Sequence, residues 1–406
     1  MRAYERLLNY VKIHTTSDEE STSVPTTRRQ FDLAKLLVEE MKQMGVSDVR
    51  LEDNCYVYGR IPATKGYENK KKIGFIAHMD TAPDFNGENV KPVVIPDYDG
   101  TDVALGSSGR TLELKKFPHL AGLKGRTLIT TDGTTLLGAD DKAGVAEIMT
   151  LAEVLLHSNQ PHGEVEIGFT PDEEVGSGAA EFDIPGFGAE FAYTVDGGCE
   201  TEIVYENFNA CGAEFEIKGF NIHPGDAKDT MINAALVAME INGMLPGEDT
   251  PEHTELYEGF YHLTSMEGNV EEAKLHYIVR DHSAVFFEAR QETLRHIEKC
   301  INEKYGAGTA KLTIHQQYRN MEEMIKPCMH LIDYAKDAIR ELGMEPATAP
   351  VRGGTDGAQL SFRGLPCPNL GTGGYAFHGP YEHITAEGME FVVAVMQGIV
   401  KRYSEE

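Results

Sequence analysis

Along this chain the breaks in the hydrophobic pattern are as informative as the runs. Lys72-Ile73-Gly74-Phe75-Ile76-Ala77 is a short, mostly apolar stretch that stops at His78-Met79-Asp80. The stretch Val165 to Thr170 stops at Pro171-Asp172-Glu173-Glu174, and Phe191 to Val195 stops at Asp196-Gly197-Gly198. Leu136-Leu137-Gly138-Ala139 is expected to do the same before Asp140-Asp141, and Gly371 to Phe377 before His378-Gly379-Pro380. Short, mostly apolar runs of this kind predict strands covered on both faces. Proline and glycine close several of them where the polar residues begin.

Helical spacing replaces this pattern in two places. Phe31, Ala34, Leu37, Val38, Met41 and Met44 follow the cap-type residues Thr26 and Thr27 and end at Gly45. Val145, Ile148, Met149, Ala152, Leu155 and Leu156 form a second apolar face just after Asp140. Strand-helix-strand order around Asp140 and Glu174 predicts a parallel α/β sheet.

Beyond Asp196 the character changes. Ala213 to Lys218 and Lys274 to Val279 alternate as half-exposed strands, helices are expected over about 229–243 and 284–304, and a strand at 311–314 precedes a helix at about 329–342. The expected architecture is therefore α/β, with a mostly parallel-sheet domain built from 1–208 and 321–406 and an inserted α+β domain with an antiparallel sheet expected over 209–320. The long connection over 81–135 predicts either a small sheet extension or a loop wall beside the site.

A length of 406 residues fits two domains. With 41% hydrophobic and 25% charged residues the chain reads as soluble and globular, and no apolar run approaches the roughly 20 residues that span a bilayer. The N-terminus has no signal-peptide pattern, so the cytoplasm is the expected location. Lys and Arg number 37 against 65 Asp and Glu, a net charge of −28, which argues against nucleic acid or an anionic membrane as partner. The six cysteines are dispersed without C-x-x-C spacing, so they are expected to be reduced packing residues.

Composition leaves the chemistry to the strand ends. His78, Asp140, Glu173, Glu174, Asp196 and His378 are expected at or just beyond the carboxyl ends of strands, where open parallel sheets collect ligands. Singly, each is an ordinary loop histidine, turn former or helix cap. Together they form a mixed nitrogen and oxygen donor set suited to zinc, with cobalt and manganese as substitutes. Of two adjacent acids, Glu173 and Glu174, one can ligate while the other stays free to move a proton. The plainer alternative is an exposed acidic turn. Asp80 can accept the second ring N–H of His78, or merely cap a turn. His383 competes with His378 and is expected to be a loop histidine, and Lys142 is expected on a helix surface. Arg280, after a strand, and Arg352, in a glycine-rich turn, are candidate clamps for a substrate carboxylate, with ordinary surface ion pairs as the alternative. Asn233 and Thr355 are weaker hydrogen-bonding candidates.

The segments His78-Met79-Asp80-Thr81, Gly138 to Gly144, Pro171 to Gly176 and Asp196-Gly197-Gly198 resemble the two-zinc aminopeptidase and deacetylase family that includes carboxypeptidase G and succinyl-diaminopimelate desuccinylase. Gly219 to Gly225, Val351 to Gly357 and Gly373 to Gly379 extend the resemblance toward its tripeptide-cleaving aminopeptidases. It implies two zinc ions bridged by Asp140, with His78 and Asp196 on one and Glu174 and His378 on the other. It implies a bridging hydroxide nucleophile with Glu173 as general base, and a non-proline cis peptide at Asp140-Asp141. It also makes His223 a lid histidine that in some relatives reaches across a homodimer. The implied substrate is a small peptide, cleaved at its N-terminal bond. The alternative is an N-acyl amino acid deacylase, dipeptidase or carboxypeptidase of the same family.

Overall fold

The computed structural model describes residues 1–406. Its internal contacts divide the chain into one unit of Met1–Tyr205, Glu323–Ala349 and Thr355–Glu406, and a second of Glu206–Glu322 with Pro350–Gly354. The short Pro350–Gly354 segment joins the second unit because the Val351 N–H donates to the Glu206 carbonyl oxygen at 2.9 Å and Arg352 bonds to residues 254–258.

The first unit is built on a seven-stranded sheet in the order Ser47–Leu51, Val57–Ile61, Val165–Thr170, Ile73–His78, Phe191–Gly197, Asn369–Gly371, Ile203–Val204. Its four central strands run parallel and the flanking ones antiparallel. Ile73–His78 and Val165–Thr170 are buried at every position, which is why they read as continuous apolar runs. Register sets His78 opposite Thr170 and Ile76 opposite Thr194, so three neighbouring strands end together.

Helix Ala139–His157 packs on strands Ile73–His78 and Phe191–Gly197 and is itself covered by helices Ala3–Tyr10 and Ala386–Glu405. Gly144 makes that packing feasible, since a Cβ there would lie 1.8 Å from the Val195 carbonyl oxygen. On the opposite face Tyr56, Tyr58, Ile76, Phe182, Phe187 and Leu360 form a separate apolar cluster. Helix Gln30–Met44 stops where expected, at Gly45, whose φ of 91° closes the last turn in the left-handed region.

Two expected strands are corrected. Leu136 to Ala139 forms none, because the Leu137 and Gly138 N–H groups donate to the Glu382 side chain instead of a neighbouring strand. Gly371 to Phe377 is broken at Gly373, φ +84°, into the ends of two different sheets. The second of these is a small sheet ordered Gly374–Tyr375, His383–Thr385, Leu128–Thr130, Val93–Ile95, so the 81–135 connection contributes a sheet extension.

The second unit carries a four-stranded antiparallel sheet ordered Phe260–Gly268, Glu272–Asp281, Asn209–Lys218, Ala310–Tyr318. Helices Ala234–Gly243 and Ala284–Tyr305 pack on it around Phe215, Leu275, Val279, Leu294 and Ile297. Along Asn209–Lys218 burial alternates from Cys211 onward, as expected for a sheet covered on one face.

Candidate metal centre

His78, at the last position of its strand, turns Nε2 toward Asp140 Oδ1 at 3.1 Å and Asp196 Oδ1 at 3.5 Å. His378 turns its Nε2 toward Asp140 Oδ2 at 3.3 Å and Glu174 Oε2 at 3.0 Å. The two oxygens of Asp140 therefore face two different imidazoles. Ligating atoms of His78, Asp140 and Glu174 cluster within 4.8 Å, and so do those of His78, Asp141 and Asp196.

Asp80 organises the site from beneath. Its carboxylate accepts the Glu173 N–H at 3.0 Å and the Glu174 N–H at 3.2 Å. Its carbonyl oxygen lies 3.1 Å, and its Oδ1 3.3 Å, from His78 Nδ1. A proton on Nδ1 donated to Asp80 leaves Nε2 to face the cluster. Asp141 accepts the His78 N–H at 3.1 Å and the Gly144 N–H at 3.1 Å, and the Asp140-Asp141 peptide is cis. Asp84 lies 3.4 Å from His378 Nδ1, a partner that the sequence did not single out.

The electrostatics call for positive charge. Burial pushes the Glu173 carboxyl up, and burial with the nearby Asp140 pushes Glu174 up to about 7; Asp196 rises to about 6, chiefly through burial. Burial works against a charged His78, yet Asp196, Asp140 and Asp80 outweigh it and hold the imidazole well above its usual range. Hydrogen bonding to Asp140 and Glu174 raises His378 to about 11. Glu174 Oε1 is buried without a hydrogen-bond partner. A crowded carboxylate set that draws protons onto both imidazoles, with a buried oxygen left over, fits divalent cations. By contrast, the half-buried Glu173 carboxylate makes no hydrogen bond within the protein.

Five residues take a different form from that expected. Lys142 is 1% exposed and donates Nζ to the Ile13 carbonyl oxygen at 2.7 Å, because the helix that carries it is enclosed almost all round. His383 is a buried strand residue whose Nδ1 lies 2.7 Å from the Tyr381 carbonyl oxygen and whose Nε2 lies 2.8 Å from His119 Nε2. Asn233 and Thr355 serve as helix N-caps, accepting N–H groups of Ala235 and Ala358 respectively. Asp140 follows no strand; it lies where the chain enters its helix, with extended rather than helical backbone at φ −83° and ψ 106°.

Within the second unit, His223 is exposed and accepts the Gly225 N–H at 3.1 Å. Arg280 donates Nη1 to the Cys211 and Val279 carbonyl oxygens, lies 5.3 Å from the Tyr318 ring centre, and pairs with no carboxylate; burial lowers its pKa. Arg352 is committed to the Leu256 and Glu258 carbonyl oxygens and the Thr254 hydroxyl, with its guanidinium over Phe208 and Phe260.

The end of the parallel sheet thus carries a histidine and carboxylate cluster, and a separate antiparallel unit interrupts the chain. Consistent with this, residues 205–309 match the peptidase dimerisation domain family. Relatives named peptidase T, from Clostridium perfringens strain 13 and Geobacillus kaustophilus, are each 52% identical to this chain. The first match covers 100% of both chains, and the second covers 99% of this chain and 98% of the relative. The chain belongs to the peptidase T family. Its fold is similar to the crystal structure of aminopeptidase PepT from Bacillus cereus, with a TM-score of 0.79 at 22% identity over 100% of this chain and 98% of that one. A dinuclear metal-binding M20 peptidase from Bacillus subtilis superimposes with a TM-score of 0.66 at 16% identity, covering 99% of each chain.

Proposed function

We propose that the protein is a tripeptide aminopeptidase that hydrolyses the N-terminal peptide bond and releases the first amino acid. The observation that supports this reading is that the two Asp140 oxygens face different imidazoles, those of His78 and His378, so that one carboxylate could contribute to two adjoining metal positions. His78, Asp140 and Asp196 would hold one ion, and Asp140, Glu174 and His378 the other, with zinc as the metal and cobalt or manganese as substitutes. Divalent cations held there would polarise the scissile carbonyl and acidify water.

The remaining chemistry belongs to the chain. Glu173, free of protein partners, accepts a proton from the attacking water and returns it to the departing nitrogen. Asp80 fixes the His78 ring and the backbone of Glu173 and Glu174, holding ligand and base in register. Arg280, lacking a carboxylate partner, receives the peptide C-terminus, and His223 contributes to oxyanion stabilisation. Arg352, proposed from sequence as a second clamp, has its guanidinium already bonded within its own unit and is the weaker candidate.

The dimerisation-type second unit supports assembly as a homodimer. No helix is long and apolar enough to cross a membrane. The deciding experiment compares Ala-Ala-Ala with Ala-Ala, Ala-Ala-Ala-Ala and N-acetyl-Ala-Ala-Ala on zinc- or cobalt-reconstituted protein, following products by mass spectrometry. Release of Ala and Ala-Ala from the free tripeptide alone supports the proposal. Preference for the acetylated or two-residue compound moves the chain to the deacylase or dipeptidase reading.

A further inference from the structure

Glu382 lies four residues beyond His378 and is 1% exposed. Its Oε2 accepts the N–H groups of Leu137 and Gly138, both at 2.7 Å, and its Oε1 accepts the N–H of Asp140 at 2.9 Å. No Lys, Arg or His side chain makes a close ion pair with it, and buried Lys142 acts on it only at longer range, so these three donors are its direct hydrogen-bond partners. Without Glu382 the same donors would be buried and unsatisfied, since Leu137 and Gly138 belong to no strand. Its neighbour His383 is fixed through Tyr381 and His119, which holds the Glu382 backbone in place.

The consequence falls on Asp140. The chain reaches it through Gly138 at φ +79°, and the direction of its carboxylate depends on where residues 137–140 are held. One short stretch of sequence thus carries the His378 imidazole and, four residues later, the anchor for the residue opposite it.

We propose that Glu382 is a positioning residue for the metal centre: by binding the backbone of 137–140 it aims the two Asp140 oxygens at His78 and His378 before any ion arrives. The inference rests on the metal-centre reading above. A plain structural staple would stabilise the fold without governing metal affinity, and the two roles separate experimentally.

Glu382→Gln keeps the side chain's shape but replaces one acceptor oxygen with an NH2 group aimed at an N–H donor. Glu387→Gln serves as control, because Glu387 accepts the Thr127 N–H and hydroxyl away from the cluster. Zinc affinity is measured by competition with a chromophoric chelator, and cobalt loading by its visible d–d absorption. Glu382→Gln is expected to weaken zinc binding roughly 10- to 100-fold and shift the cobalt spectrum, while Glu387→Gln stays within twofold of the parent. An unchanged zinc affinity in Glu382→Gln, or equal losses in both variants, overturns the proposal. A parent that binds no zinc overturns the metal-centre reading itself, and this inference with it. Should Glu382→Gln fail to fold, hydrogen exchange in the metal-free parent decides. Slow exchange in the 136–141 segment, unchanged on adding zinc, supports a preset loop; exchange at the rate of an open loop refutes it.

Discussion

Replacing Arg280 with Ala separates substrate anchoring from catalysis. The guanidinium is half-buried, uses Nη1 on two carbonyl oxygens, and has no protein carboxylate to neutralise it. A charged hydrogen-bonding partner contributes about 1.5–3 kcal/mol. Taking ~2–3 kcal/mol for a guanidinium-carboxylate anchor, and about 1.4 kcal/mol per tenfold, kcat/KM for Ala-Ala-Ala should fall roughly 30- to 150-fold. The substitution also strips a donor from the Cys211 and Val279 carbonyl oxygens, a loss common to all substrates. Ala-Ala-Ala-amide cancels that contribution, since it lacks the carboxylate but shares every other contact. The assay is therefore the ratio of kcat/KM for acid and amide in parent and variant. In the variant this ratio should collapse toward one, mostly through KM. Equal losses on both substrates would refute the clamp.

Three further outcomes follow from the buried ionisable groups. Glu173→Gln should lower kcat about 10²- to 10⁴-fold while zinc content by atomic absorption stays unchanged, as expected for a base that holds no metal. His383 is held neutral by burial, its pKa lowered to about 4; because that lies below the ordinary value near 6.5, its stabilising contribution is present above 6.5 and lost as pH falls toward 4. Across that window the unfolding free energy of the parent, measured in urea, should fall by roughly 3 kcal/mol more than that of His383→Gln. Glu147 has the opposite sign: buried with both carboxylate oxygens unpartnered, it is pushed well above the ordinary value by burial and then by the charges of Glu390 and Glu200. Stability is therefore lost as pH rises above about 4.3, and Glu147→Gln should raise Tm relative to the parent more at pH 8 than at pH 5.

How much was legible in the sequence depended on how local the cause was. Strands Ile73–His78, Val165–Thr170 and Phe191–Gly197 announced themselves because burial on both faces leaves almost no polar positions. The same apolarity misled at Leu136 and Leu137, which are buried but held by a carboxylate some 245 residues away. Lys142 was placed on a surface because lysine on a helix usually is, and only the enclosure of that helix by its neighbours reverses this. Glu382 and Asp84 carried no signal of their own, since their roles exist only through distant partners. Arg352 was recognisable as a glycine-flanked guanidinium, yet its sequence could not tell that residues 254–258 would occupy it.

His78 and His378 stand 300 residues apart, whereas His78, Asp140, Glu174 and Asp196 all lie in the first half of the chain. During synthesis the acidic half of the centre is thus made first, and the second unit must follow before the last imidazole exists. A chain cut short before His378 leaves Asp140 and Glu174 facing no nitrogen donor on that side, with their mutual repulsion uncompensated. On the proposed ligand assignment, a copy that ends before His378 lacks one nitrogen donor of the second metal position.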